Sequence, residues 1–243
     1  MRLHINVDHV ATLRNARGTR YPDPIEAARL CLEAGAHGIT AHLREDRRHI
    51  VDADVERLRQ TLRATFNLEM ASTDEMVAIA CRIRPDVVTL VPERREERTT
   101  EGGLEVASAP PLLRAHVEKL RAAGIKVSLF IAPDLSQVEA SRRLGVEQIE
   151  LHTGEYAHAA GDAAAERREL DRLAASAKRG HALGLEVAAG HGLTTKNVPA
   201  LLAISEIVEL NIGHAVIADA VFLGISGAVR AMLAAIGEAR APR

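Results

Sequence analysis

Short runs along this chain alternate an apolar side chain with one that hydrogen-bonds or ionises. They include Ile5-Asn6-Val7-Asp8, Ile39-Thr40-Ala41-His42, Asn67-Leu68-Glu69-Met70, Ile149-Glu150-Leu151-His152 and Val208-Glu209-Leu210-Asn211. Stretches of helical periodicity separate them, which makes the strands parallel. Parallel strands are covered on both faces and ordinarily read as unbroken apolar segments. Here one face is polar, and a polar group buried without a partner costs roughly 2–7 kcal/mol. The fold must therefore enclose a hydrogen-bonded or solvated interior between parallel strands.

Periodicity predicts strands at Leu3–Asp8, Gly38–Leu43, Phe66–Ala71, Asp86–Val91, Lys126–Ile131, Gln148–His152, Glu186–Ala189 and Glu206–Ile212. A helical stretch follows each. The first opens at Pro22-Asp23-Pro24 and stops at Ala34-Gly35; the second is capped by Asp52-Ala53-Asp54 and the third opens on Ser72-Thr73-Asp74-Glu75. Pro110-Pro111 to Gly124, Asp134 to Gly145 and Asp162 to Gly184 are the next three. Asn197-Val198-Pro199 begins the seventh, and the eighth runs from about Val216 to the C-terminus. Eight βα units in 243 residues match a single-domain (β/α)₈ TIM barrel over residues 1–243. A doubly wound sheet needs a Gly-rich first turn, and Asp8-His9-Val10-Ala11-Thr12 has none.

Strand parity then assigns faces. With Ile5, Val7, Ile39, Leu68, Met70, Leu90, Val127, Leu129, Ile149, Leu151, Val208 and Leu210 toward the helices, the neighbours of each point to the axis. Those neighbours are Asn6, Asp8, Thr40, His42, Asn67, Glu69, Thr89, Ser128, Glu150, His152, Glu209 and Asn211. Barrel enzymes carry their reactive groups at the C-terminal ends of the strands and in the loops beyond them.

Composition excludes several partners. A net charge of −2 offers no polybasic footprint for nucleic acid or an anionic membrane, and 2% aromatics with no Trp make no base-stacking platform. Met1-Arg2-Leu3-His4 leads directly into the first strand, so no targeting segment is expected, and no apolar run reads as a membrane span. Cys31 and Cys81 fall in helical patterns outside any metal-ligand spacing and read as small buried hydrophobes. A cytoplasmic location is expected.

Of the eleven histidines, His9, His42, His152, His191 and His214 fall at or just past strand C-termini, with His49 in the second loop. Imidazoles gathered at one barrel mouth suit proton transfer near neutrality. His37, His116, His158 and His181 read as surface groups. Glu69 and Glu150 are inward carboxylates whose burial should raise their pKa, suiting acid–base work; the structural alternative is a salt bridge, for Glu69 to Arg44. Gly190-His191-Gly192 and Ile212-Gly213-His214 supply glycines after strands seven and eight, where barrels often bind phosphate. A second basic group comprises Arg14 and Arg17 after strand one, and Arg44, Arg47, Arg48 and His49 after strand two. Two phosphate groups on the substrates would account for both. The segment from Pro92 to Leu104, charged and ending in Gly102-Gly103, reads as a lid or as an ordinary surface loop.

The run from Asn6 to Thr19 (NVDHVATLRNARGT) resembles the opening signature of the pyridoxine 5′-phosphate synthase family. So do the runs from His42 to Ile50, Asn67 to Ala71, Thr99 to Leu104, His152 to Gly154, Ala189 to Leu193 and Glu209 to Ala215. The resemblance covers the whole chain. It implies condensation of 1-deoxy-D-xylulose 5-phosphate with 3-amino-2-oxopropyl phosphate, giving pyridoxine 5′-phosphate, phosphate and water, with no metal and no cofactor. It implies His42 and Glu69 as proton acceptors, His191 as proton donor and Glu150 as transition-state stabiliser. Asp8, His9, Arg44, His49 and Thr99 are implied to hold the deoxyxylulose phosphate. Asn6, Arg17, Gly192, Gly213 and His214 are implied to hold the amino ketone. A homo-octamer built from dimers is implied as well. Two rivals differ in class. A metal-dependent barrel hydrolase or epimerase would use His42, Glu69, His152 and His191 around a divalent ion, although strand one lacks a His-x-His pair. A silent phosphate-binding or scaffold barrel would tolerate loss of Glu69 or His191.

Overall fold

A computed structural model describes residues 1–93 and 102–237. The elements run β1 (Arg2–Asn6), α1 (Asp8–Arg17), α2 (Pro24–Glu33), β2 (Gly38–His42), α3 (Asp52–Thr61), β3 (Thr65–Met70), α4 (Asp74–Ile83), β4 (Val87–Leu90) and α5 (Pro111–Ala122). They continue as β5 (Lys126–Ile131), α6 (Leu135–Leu144), β6 (Gln148–His152), α7 (Gly154–His158), α8 (Ala163–Ala182), β7 (Glu186–Gly190), α9 (Val198–Leu201), β8 (Ile207–Ile212) and α10 (His214–Ala235). All eight strands pair in parallel with their sequence neighbours, and β8 closes onto β1 through Leu3 opposite Leu210. This is the (β/α)₈ barrel that the strand count predicts.

Local chemistry sets the helix starts. The Asp23 side chain accepts the Ile25 N–H with Pro24 at the first helical position of α2. Thr73 does the same for the Met76 N–H in α4, and Asp162 for the Ala164 and Ala165 N–H groups in α8. The apolar parity set, from Ile5 through Leu210, joins the buried core between strands and helices. Val208 is the exception in that set. It is the residue skipped where Val187 pairs with Ile207 and Ala188 pairs with Glu209, a bulge that leaves it half-buried.

Other expectations need correction. The first strand stops at Asn6, because Asp8 begins a helix, α1, that was read as loop. Its buried face is Val10, Ala11 and Arg14, and α7 is a second helix that escaped notice. His116 is buried on α5, where Ser72 Oγ lies 2.9 Å from Nδ1 and Asp74 Oδ1 lies 3.1 Å from Nε2. His37 is half-buried and accepts the Leu3 N–H at 3.1 Å. Among the described residues one helix, α10, is long and apolar enough to cross a membrane by length and composition. Gly224 (φ 67°, ψ 157°) breaks it, and it packs on α2, α1 and β1 as the closing helix of the barrel.

The interior divides into tiers. At the N-terminal ends of the strands, Arg2 pairs with Glu186 and with Glu209 (3.0 Å), and Lys126 pairs with Glu186 at 2.8 Å. Gln148 donates to Glu209 at 3.0 Å. Midway, a hydrogen-bonded chain rings the axis: Thr89 to Asn67 (2.9 Å), Asn67 to Thr40 (3.4 Å), Thr40 to Asn211 (2.9 Å) and Asn211 to Glu150 (2.8 Å). Partnering of this kind makes a polar barrel interior tolerable. The C-terminal tier is the candidate site.

Candidate active site

A cavity of about 610 Å³ opens at the C-terminal ends of the strands. Twelve of the fourteen residues singled out in the sequence line it: Asn6, Asp8, His9, His42, Arg44, His49, Glu69, Glu150, His191, Gly192, Gly213 and His214. Arg17 lies exposed at the end of α1, outside that lining, and Thr99 lies outside the described residues. His152 is buried beside the cavity, its ring 5.0 Å from that of His191 and 5.3 Å from that of Phe130.

The floor is a set of acids held at close quarters. Asp8 Oδ1 accepts the His42 backbone N–H at 2.8 Å, and Asp8 Oδ2 accepts Asn6 Nδ2 at 2.9 Å. Asn6 Nδ2 also lies 3.4 Å from Glu69 Oε2, which stands 4.0 Å from His42 Nδ1. Among the described residues no Lys or Arg pairs with Glu69, so the salt bridge to Arg44 is not formed. Burial, with the charges of Glu150 and Asp8, pushes the Glu69 carboxyl well above the usual carboxylate range. Burial and nearby Glu209 push Glu150 up to about 8, against the opposing hydrogen bond from Asn211. Gly190 is required beside it, since a Cβ there would stand 2.3 Å from Glu150 Oε1.

Three of the histidines are pushed toward the neutral form. Burial lowers His9 and His49, and burial together with His191 and His158 lowers His152 to about 4. His191 itself adopts φ 82°, followed by Gly192 at φ 73°. A left-handed residue with a bulky side chain costs on the order of 1–3 kcal/mol and persists only where its surroundings impose it. Thr153 imposes it here: Oγ1 lies 2.6 Å from the carbonyls of both Gly190 and His191. Asn197 adds a hydrogen bond from Nδ2 to the Gly192 carbonyl at 3.1 Å.

Anion-binding capacity gathers at β8. Gly213 precedes α10 and no side chain caps that helix, so its first N–H groups and the positive end of its dipole face the cavity mouth with His214. The His9 ring packs edge-on at 5.0 Å from the His214 ring. Arg44, just past β2, also lines the cavity, but Arg14 does not reach it. It is buried and bidentate on Asp54 at 2.7 and 2.8 Å, and its Nη2 also donates to the His49 carbonyl at 3.1 Å. Ligand atoms of Asp8, His42 and Glu69 lie within 4.8 Å of one another, a spacing that suits a divalent ion. Each of these side chains already bonds to protein, Asp8 through both oxygens and His42 through Nε2.

Residues missed in the sequence include Glu93, whose Oε1 lies 2.8 Å from His42 Nε2, and Phe130, which lines the cavity. Phe130 shares parity with Ser128 and was legible on that ground. His4, two residues before Asn6 on the same face, was legible likewise and is buried within the barrel.

Known proteins resemble the chain end to end. Residues 3–238 match the family described as pyridoxal phosphate biosynthesis protein PdxJ. A protein named pyridoxine 5′-phosphate synthase from Syntrophotalea carbinolica is 57% identical over 237 residues, covering 98% of this chain and 99% of the relative. One of the same name from Roseobacter denitrificans is 56% identical, covering 99% and 98%. Among solved structures, 3-hexulose-6-phosphate synthase from Salmonella typhimurium superposes with a TM-score of 0.68 at 12% identity, covering 99% of this chain and 100% of that one. The likeness there is one of fold. The chain belongs to the PdxJ family.

Proposed function

We propose that the chain condenses 1-deoxy-D-xylulose 5-phosphate with 3-amino-2-oxopropyl phosphate, releasing pyridoxine 5′-phosphate, phosphate and water in vitamin B6 synthesis. One observation carries the reading: twelve of the fourteen motif residues line one cavity in a chain that matches pyridoxine 5′-phosphate synthases along its whole length. Imine formation, enolisation, phosphate loss, water addition, ring closure and dehydration each move protons at different atoms. One acid–base group cannot reach them all. His42 and Glu69 take protons, His191 gives one, and Glu150 stabilises charge in the transition state. Burial and the charges of Glu150 and Asp8 raise the Glu69 carboxyl, and a carboxylate of raised pKa is the stronger base toward a substrate proton.

Asp8, His9, Arg44, His49 and Thr99 hold the deoxyxylulose phosphate in this reading. Asn6, Gly192, Gly213 and His214, with the α10 N-terminus, hold the amino ketone phosphate. Arg17 joins that set on the strength of its motif alone. No redox step or Lewis acid is required, so the reaction proceeds without cofactor or metal. The chain works in the cytoplasm as a homo-octamer built from dimers. The exposed run Val221, Phe222 and Leu223, just before the break in α10, supports self-association. Light scattering on the purified protein reads that state directly.

Purified protein supplied with fresh samples of both phosphates should yield pyridoxine 5′-phosphate, read by its ultraviolet absorbance. No product from the two together would refute the assignment. Turnover should survive exhaustive chelation; a stoichiometric ion needed for activity would instead favour a metal-dependent barrel at Asp8, His42 and Glu69.

A further inference from the structure

His42 sits between two carboxylates that treat its two nitrogens differently. Glu93, three residues past Leu90 at the end of β4, is half-buried as a residue, but its side chain is only 6% exposed. Its Oε1 lies 2.8 Å from His42 Nε2, and its Oε2 accepts the Glu45 backbone N–H at 3.1 Å. Glu69 Oε2 faces the other nitrogen, Nδ1, at 4.0 Å, too far for a direct hydrogen bond.

We propose that Glu93 is a positioning residue for His42, holding the proton on Nε2 and leaving Nδ1, the nitrogen that faces Glu69, to exchange protons with the substrate. Burial alone would raise the Glu93 carboxyl. The hydrogen bond and charge of His42, the Glu45 N–H and Arg44 outweigh that and hold it below the usual range. An ionised carboxylate only accepts, so Nε2 must be the donor. The neutral ring then has its lone pair on Nδ1. A carboxylate that orients a histidine and fixes its tautomer is a recurrent device, and loss of the correct tautomer in one serine protease lowers kcat by about 10⁴ with the geometry intact.

The chemistry of Glu93 also explains why glutamine cannot replace it. Both oxygens accept, one from the ring and one from the backbone. A glutamine accepts through one atom and donates through the other. If its oxygen keeps the Glu45 N–H, its amide donates to Nε2 and forces the proton onto Nδ1. If its oxygen keeps Nε2–H, the Glu45 N–H meets another donor.

The inference rests on His42 acting as a base, as proposed above, and its test separates the two. In protein labelled with ¹⁵N-histidine, solid-state spectra should show His42 protonated at Nε2 and unprotonated at Nδ1 when neutral, with the signal assigned by its loss in His42→Asn. The opposite tautomer in the unmodified protein overturns the proposal without any Glu93 variant. Glu93→Gln should move the proton to Nδ1 and lower kcat about 100-fold, with both KM values within about threefold. A tautomer unchanged in Glu93→Gln, or a raised KM at unchanged kcat, makes Glu93 a mere anchor for the loop and overturns the proposal. If His42→Asn keeps full turnover, the role assigned to His42 fails instead, while the tautomer still reports on Glu93.

Discussion

The two ends of one barrel interior are both polar, and they solve the problem of buried charge in opposite ways. At the N-terminal ends of the strands, cations answer the carboxylates: Arg2 and Lys126 meet Glu186, and Arg2 meets Glu209, which also accepts from the Gln148 amide. Burial would raise Glu186, but Lys126 and Arg2 hold it below the usual range. At the C-terminal ends, Glu69 has no cation among the described residues and its carboxyl is driven up. Neutralising charge by pairing stabilises; leaving a carboxylate unpaired makes it a stronger base. The same alternation therefore encodes a plug at one end and a reactive chamber at the other.

The largest effect expected of a substitution is at the unpaired end. Glu69→Gln keeps the size and shape of the side chain and removes only its ability to take a proton, so the fold should be unharmed. Turnover should fall by roughly 10²–10⁴, the usual contribution of a positioned acid–base group. Steady-state rates beside a melting curve check both halves, and near-normal turnover would erase the contrast between the two ends. Next comes the scaffold beneath His49. Asp54→Ala strands the buried Arg14 guanidinium and frees the Val51 N–H, which now donates to Asp54 at 3.0 Å. Breaking a buried pair in this way costs about 3–5 kcal/mol, to be read by denaturant melts.

Glu209→Ala sharpens the comparison from the other end. It leaves Arg2 Nε and Gln148 Nε2 without their acceptor, while Arg2 keeps Glu186, and should cost about 1–3 kcal/mol of stability. Glu209 does not line the cavity and reaches it only through its charge on Glu150, so kcat should fall by no more than about tenfold, well short of the loss in Glu69→Gln. A large drop in kcat with little change in melting would mean that the lower tier takes part in the chemistry.

Much of this contrast was written in the sequence, because period-two alternation carries both the fold and the direction of each side chain. Glu69, Glu150 and His42 were legible on parity alone. The misses have definite causes. Asp8 continues the alternation of Asn6 and looks like strand, yet it opens α1, and the helical spacing of Val10, Ala11 and Arg14 was hidden once that segment was read as loop. His116 falls three residues after Leu113 and four before Leu120, on the buried face of α5, so its position carried a signal that its polarity obscured. Glu93 carried none. It heads a run of charges, Glu93-Arg94-Arg95-Glu96-Glu97-Arg98, and only the path of the chain brings this one to His42.

The remaining effect is a slope rather than a step, and it separates the tiers by pH. Glu150 holds its proton up to about pH 8 in the fold but near 4.5 when exposed. The folded state thus binds more protons between these values, so the contribution of Glu150 is fully present below about 4.5 and is lost as pH rises through about 8. One such proton changes stability by at most about 1.4 kcal/mol per pH unit. His152 works in the other direction: its folded pKa of about 4 lies below the ordinary 6.5, so its contribution is present above 6.5 and is lost as pH falls through about 4. Glu150→Gln should therefore gain on the unmodified protein steadily from pH 5 to 8 and hold a constant lead above that. Denaturant melts at unit pH steps test this. A lead that is the same at pH 5 and pH 8 would mean that Glu150 is ionised in the fold, paired like the carboxylates at the opposite end.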